Sequence, residues 1–193
     1  MVCVNKSLEA MLYEIENPIK VISNEVFPKT YYSTTPDSFL KQNEFFWLWQ
    51  YGRQLSDALR KLHLPIKLRF GMGTQTPIQS AIENAYDYAA GDGRVTRYGE
   101  WPIKVEVYVG NNGIVFTVTD SGKGFDFNAV VEQNRKKQKL PDVPRGFDVY
   151  DAPFDSSGVP YEVSCEGNRI NIMYSFQRKP LSILAPTVPK KNK

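Results

Sequence analysis

Three short polar clusters carry the residue types that could do chemistry: Asn84 in IENAYDYAA, Asp120 with Gly122 and Gly124 in VTDSGKGFD, and Arg145 with Gly146 in PRGFD. Glycines two residues apart let a chain turn tightly and approach a ligand without Cβ obstruction. A carboxylate at the end of a β-branched run can accept a hydrogen bond from an exocyclic amine such as that of adenine. The carbonyl oxygen of Asn84 suits a hard divalent cation whose other ligands are phosphate and water. Arg145 and nearby lysines can meet phosphate oxygens. Each cluster also has a plain structural reading, since an Asx-glycine turn explains DSG without a ligand and a helix asparagine is often simply exposed. Neither GxxxxGK[ST] nor GxGxxG occurs, so no P-loop or dinucleotide fingerprint is present.

The elements that would position these residues follow from periodicity. Asp37 or Ser38 caps an expected helix over 38–62, in which Leu48, Tyr51, Leu55, Leu59 and Leu62 recur at helical spacing before Pro65 ends it. Phe45, Phe46, Trp47 and Trp49 widen that stripe, as core or as a hydrophobic partner surface. A second helix starts at Thr76-Pro77-x-Gln79, where a hydroxyl cap, a proline that needs no amide donor and a returning glutamine form a capping box. Its apolar stripe is Ile78, Ala81, Ile82, Ala85 and Ala89, and a different face carries Ser80, Asn84, Asp87 and Tyr88. Strict alternation over 103–109, the GNNG break at 110–113 and the return run IVFTVT predict a hairpin that delivers Asp120 to its end. YEVSC and RINIMYSF, separated by Glu166, Gly167 and Asn168, predict another, and KVISNEV at 20–26 reads as an edge strand. Helices before hairpins, without βαβ alternation, favour an α+β two-layer sandwich with helices on one face of a mixed or antiparallel sheet.

Composition narrows the function classes. The 193 residues accommodate one substantial core, with 41% hydrophobic and 23% charged content typical of a soluble domain. No run of eighteen apolar residues suggests a membrane span, and MVCVNKSLEAM lacks the pattern of a signal peptide, so cytoplasmic residence is the expectation. Cys3 and Cys165 give no disulfide framework, and two cysteines with the single His63 argue against a zinc site. The net charge of +3 is concentrated in five basic residues after Gln177, leaving the remainder about 2 negative. KPLSILAPTVPKKNK therefore reads as a flexible basic tail rather than a nucleic-acid footprint, because basic and aromatic residues do not interleave on a reading element.

In order and local context, IENAYDYAA, VTDSGKGFD and RGFDVYD resemble the N, G1 and G2 boxes of the histidine-kinase-like ATPase superfamily. The short layout looks most like its anti-sigma or serine/threonine-kinase branch. The resemblance implies a Bergerat-type ATP-binding fold over 20–177, an extension over 1–19 and a tail over 178–193. It implies ATP and Mg²⁺ as cofactors. By matching positions, Asn84 would coordinate Mg²⁺ and Asp120 would bind the adenine amino group. Gly122 and Gly124 would border the base, while Arg145 and Gly146 would form a phosphate-facing turn. Residues 125–144 would be the lid, with NRKKQK at 134–139 near phosphate.

The departures concern turnover. Hydrolysing and phosphorylating relatives commonly place a glutamate four residues before the asparagine; Ser80 stands there, a poor general base. Glu83 points about 100° away around the helix from Asn84. Tyr88 replaces a histidine of the anti-sigma branch, while Asp87 matches the NAxD pattern of the gyrase-type branch, where the acid shapes the pocket. Pro144 stands where the first glycine of the G2 box is expected, which would stiffen the expected lid hinge or weaken phosphate wrapping. The expectation is an ATP/Mg²⁺-binding regulatory protein acting on a protein partner, with γ-phosphate transfer to a partner hydroxyl as its active form. A noncatalytic interaction module with a partner or homodimer surface is the alternative.

Overall fold

The computed structural model describes residues 4–26, 51–64, 76–88, 102–122 and 158–176, with the single residues 124, 129 and 132. In chain order these give helix α1 (Leu8–Glu14), strand β1 (Ile19–Val26), helix α2 (51–60), helix α3 (Pro77–Tyr88), and strands β2 (Ile103–Val109), β3 (Gly113–Thr119), β4 (Tyr161–Glu166) and β5 (Arg169–Ser175). The strands form one antiparallel sheet in the order β1-β2-β3-β5-β4. This is an α+β domain, and both expected hairpins, β2–β3 and β4–β5, are formed. KVISNEV lies at the sheet edge, with a bulge between Lys20 and Ile22.

Alternation decides which residues of each strand meet the helices. Ile103, Val105, Val107, Ile114, Phe116, Val118, Val163, Ile170, Ile172 and Tyr174 point to one face, where they pack with Tyr51, Leu55 and Leu59 of α2 and Ile78, Ala81, Ile82 and Ala85 of α3. Each fully buried side chain of this size contributes about 1.5–3 kcal/mol of transfer free energy, which makes this layer the main core. Phe116 meets Tyr174 edge to face, with ring centroids 6.0 Å apart. The helical stripe Tyr51, Leu55, Leu59 is as expected; residues 38–50 and Pro65 lie outside the described residues.

The opposite face is covered as well, which changes the expectation of helices on one face only. Met11 of α1 and its C-cap residue Ile15 pack there against Val115 and Met173, the residues that alternate with Ile114, Phe116, Ile172 and Tyr174. α1 forms because Ser7 caps it, its side chain accepting from the Ala10 amide at 3.2 Å. The carbonyls just past its end are taken by the β2–β3 turn: the Asn112 amide donates to the oxygen of the C-cap residue Ile15 at 2.9 Å and the Asn111 amide to the Glu16 oxygen at 3.0 Å. The segment expected as an N-terminal extension thus contains a helix seated on the sheet.

This second face carries a polar row in register across all five strands: Ser23, Glu106, Thr117, Asn171 and Ser164. Glu106 is buried and held by Lys20 at 2.7 Å and Lys104 at 3.1 Å. Glu166 accepts from the Leu8 amide at 3.0 Å, from Arg169 at 2.6 Å and from Asn171 at 2.9 Å. Among the described residues, no helix is long and apolar enough to cross a membrane.

Candidate functional site

The chemistry-bearing residues sit on two elements, the helix α3 and the turn that leaves β3. α3 starts as its capping sequence dictates. The Gln79 amide donates to the Thr76 hydroxyl at 3.2 Å, and Pro77 occupies the first turn, where no amide donor is required. The reciprocal half of the box differs from expectation: the Gln79 side chain reaches forward and donates to Glu83 Oε1 at 2.9 Å. That bond occupies Glu83, the carboxylate beside Asn84, at the (i, i+4) spacing that joins side chains on a helix.

Burial of Ile78, Ala81, Ile82 and Ala85 fixes the rotation of α3, which packs chiefly across β3. Ser80 is turned inward and buried. Asn84, one turn further on, is half-buried, and its Nδ2 is shielded from solvent without a hydrogen-bond partner. A buried amide donor without a partner is uncommon in a folded protein and marks this position on α3. Asp87 belongs to α3, but its side chain and that of Tyr88 lie outside the described residues.

Asp120 follows the last residue of β3 and closes an Asx turn, its Oδ1 accepting from the Gly122 amide at 2.7 Å. Among the described residues its other carboxylate oxygen has no partner. Burial pushes the Asp120 carboxyl above its ordinary value, and the bond from the Gly122 amide offsets only part of that rise. A half-buried carboxylate with one oxygen fixed and one free is an oriented acceptor for an N–H donor.

The structure brings together Asp120, Gly122 and Gly124 in one turn, and it adds residues that sequence reasoning did not select. The Asp120 amide donates to the Asn168 carbonyl at 3.1 Å, and Asn168 Nδ2 donates back to the Asp120 carbonyl. Gly124 has φ +76° and lies so close to the neighbouring turn that an added Cβ would sit 2.4 Å from the carbonyl carbon of Gly167. The need for glycine at 124 is therefore met by protein packing, independently of any ligand. EGN at 166–168 was legible as a hairpin turn; its place beside DSGKG comes from the pairing of β3 with β5, which puts Arg169 opposite Thr119.

Arg145, Gly146, Pro144, Lys123 and the 134–139 lysine cluster lie outside the described residues. Of the expected lid, Ala129 and Glu132 are described; both are helical and exposed. Among the described residues, no group of three or more His, Cys, Asp or Glu side chains could hold a metal ion. Asn84 has one oxygen, Oδ1, that a cation could take, and Mg²⁺, which keeps most of its waters, needs few protein ligands. Comparison of the chain with protein-family models, with curated proteins and with solved structures gives no match.

Proposed function

We propose that this chain is an ATP/Mg²⁺-binding regulatory protein with a Bergerat-type nucleotide fold, resembling the anti-sigma or serine/threonine-kinase-like proteins. The observation that carries the reading is Asp120, a half-buried carboxylate just after β3 with one oxygen fixed by Gly122 and the other without a partner among the described residues. That oxygen would accept from the adenine amino group. The orphaned Asn84 Nδ2 on α3 gives independent support, because it is a donor that a phosphate oxygen or a Mg²⁺-bound water could accept from, while a cation would need the Oδ1 of the same amide. Bound Mg²⁺ would neutralise phosphate charge; Asn84 would hold it and Asp120 would select the base. By the same resemblance, Arg145 and Gly146 would meet the phosphates.

Binding is better supported than turnover. Ser80, at the position where a general base would stand, is buried and has no carboxylate to offer, and Glu83 is engaged by Gln79. These two observations favour a second reading, in which the chain binds nucleotide or a protein partner without transferring phosphate. Titration calorimetry with ATP and Mg²⁺ decides the first point. Saturable binding that Asp120→Asn weakens supports the proposal; no heat from the folded protein and no difference between the two proteins overturns it. Label transfer from γ-labelled ATP to a partner, abolished by Asn84→Ala, would replace the noncatalytic reading with a kinase.

A further inference from the structure

We propose that Asn168, on the turn between β4 and β5, is the positioning residue that sets the aim of the Asp120 carboxylate, an inference that rests on the nucleotide reading above. Asn168 touches Asp120 twice. Its carbonyl accepts from the Asp120 amide at 3.1 Å, and its side-chain Nδ2 donates to the Asp120 carbonyl. The Asp120 peptide groups are therefore fixed on both sides by one residue, and a carboxylate one Cβ from that backbone inherits the constraint. The Asx bond to Gly122 then leaves a single direction for the free oxygen.

The neighbouring contact closes the clamp. Gly124 lies close to Gly167 and the Asn168 amide nitrogen, so the turn after β3 meets the β4–β5 turn at Gly124 as well as at Asp120. The side chain needed at 168 is a short one carrying a hydrogen-bond donor. Aspartate would set acceptors against the Asp120 carbonyl, and alanine would leave that carbonyl without its side-chain donor. Serine keeps a short donor.

The test uses the full chain, with Asn168→Ala and Asn168→Ser compared with wild type after thermal melts verify folding. Affinities are read for ATP, GTP and inorganic tripolyphosphate with Mg²⁺, and amide exchange at Gly122 is followed without ligand. A positioning role lowers the preference for ATP over GTP about tenfold in Asn168→Ala, the scale of one well-placed hydrogen bond. Tripolyphosphate affinity stays unchanged, Asn168→Ser recovers part of the preference, and Asn168→Ala adds nothing in an Asp120→Asn background. The Gly122 amide exchanges faster. Equal losses for all three ligands, or unchanged preference and unchanged Gly122 exchange, overturn the inference. Should wild type bind no nucleotide while Asn168→Ala frees the Gly122 amide, the nucleotide reading falls and the positioning of the Asp120 turn stands.

Discussion

The Asp120 amide and the Asn168 carbonyl, 3.1 Å apart and separated by 48 residues of sequence, extend the β3–β5 ladder one step beyond its last pair, Thr119 with Arg169. The step matters because Asp120 no longer belongs to a strand. Its backbone stays ordered by a turn from another hairpin, which leaves its side chain available for recognition. Fixing a side chain through its neighbours before a ligand arrives reduces the ordering cost of binding.

Gly124→Ala should destabilise the protein more than Gly158→Ala. Both glycines have positive φ, +76° and +73°, but only Gly124 faces backbone atoms at the Cβ position, while Gly158 faces open space. The left-handed conformation alone costs about 1–2 kcal/mol for a non-glycine residue. The backbone clash adds to it at 124. Urea unfolding of the two variants measures the difference, and equal midpoints would show that the two turns do not press on each other.

Asp120→Asn should weaken ATP binding by roughly tenfold to a hundredfold, the range for a hydrogen bond to a charged group, without lowering stability. Asparagine keeps the oxygen that accepts from Gly122 and removes the buried charge. Because the folded-state value lies above the ordinary 3.8, the folded protein holds the proton more tightly than the unfolded chain. Ionised Asp120 therefore costs stability above its folded value, and that cost is relieved as pH falls from there toward 3.8. Melts across that window should show wild type gaining on Asp120→Asn as the pH drops.

Glu106 behaves in the opposite sense. Burial alone would raise its pKa, but hydrogen bonds from Lys20 and Lys104 together outweigh burial and hold it below the ordinary 4.5. Its contribution is thus present above pH 4.5 and lost as pH falls through the lowered folded value. Glu106→Gln should cost about 1–2 kcal/mol at neutral pH, since both lysines are partly exposed and can rehydrate. Acid titration of unfolding should be shallower in the variant. Glu166, also held low against burial by the Leu8 amide, Arg169 and Asn171, adds acid sensitivity of the same sign.

Thr117→Val should stabilise the protein by about 1 kcal/mol, because the buried Thr117 hydroxyl has no hydrogen-bond partner and valine has nearly its shape. Thermal melting gives the sign. A loss of stability instead would show that a water satisfies this hydroxyl in the polar row.

Much of the fold was legible because local rules governed it. Alternation over 103–109 and the GNNG break fix β2 and β3, and Thr76-Pro77 fixes the start of α3. Gln79 was read as half of a capping box, yet its side chain had two reachable partners and took the Glu83 carboxylate. The role of α1 was not legible, since MVCVNKSLEAMLYE is short, and its hold on the sheet depends on Val115, Met173 and the 111–112 amides far along the chain.

The candidate site divides in the same way. Sequence alone determined that Asp120 ends a strand, that a glycine-bearing turn follows, and that Asn84 shares a helix with an apolar stripe facing elsewhere. Periodicity and turn chemistry act within a few residues, so they are written locally. Only the tertiary structure decided that Gly124 is required by Gly167, that Asn168 holds Asp120, and that Ser80 is buried while one end of the Asn84 amide is left without a partner. Those outcomes depend on which strand pairs with which and on how a helix rotates over a sheet. Both are set by the sum of apolar burial across the whole core, which no single stretch of the chain contains.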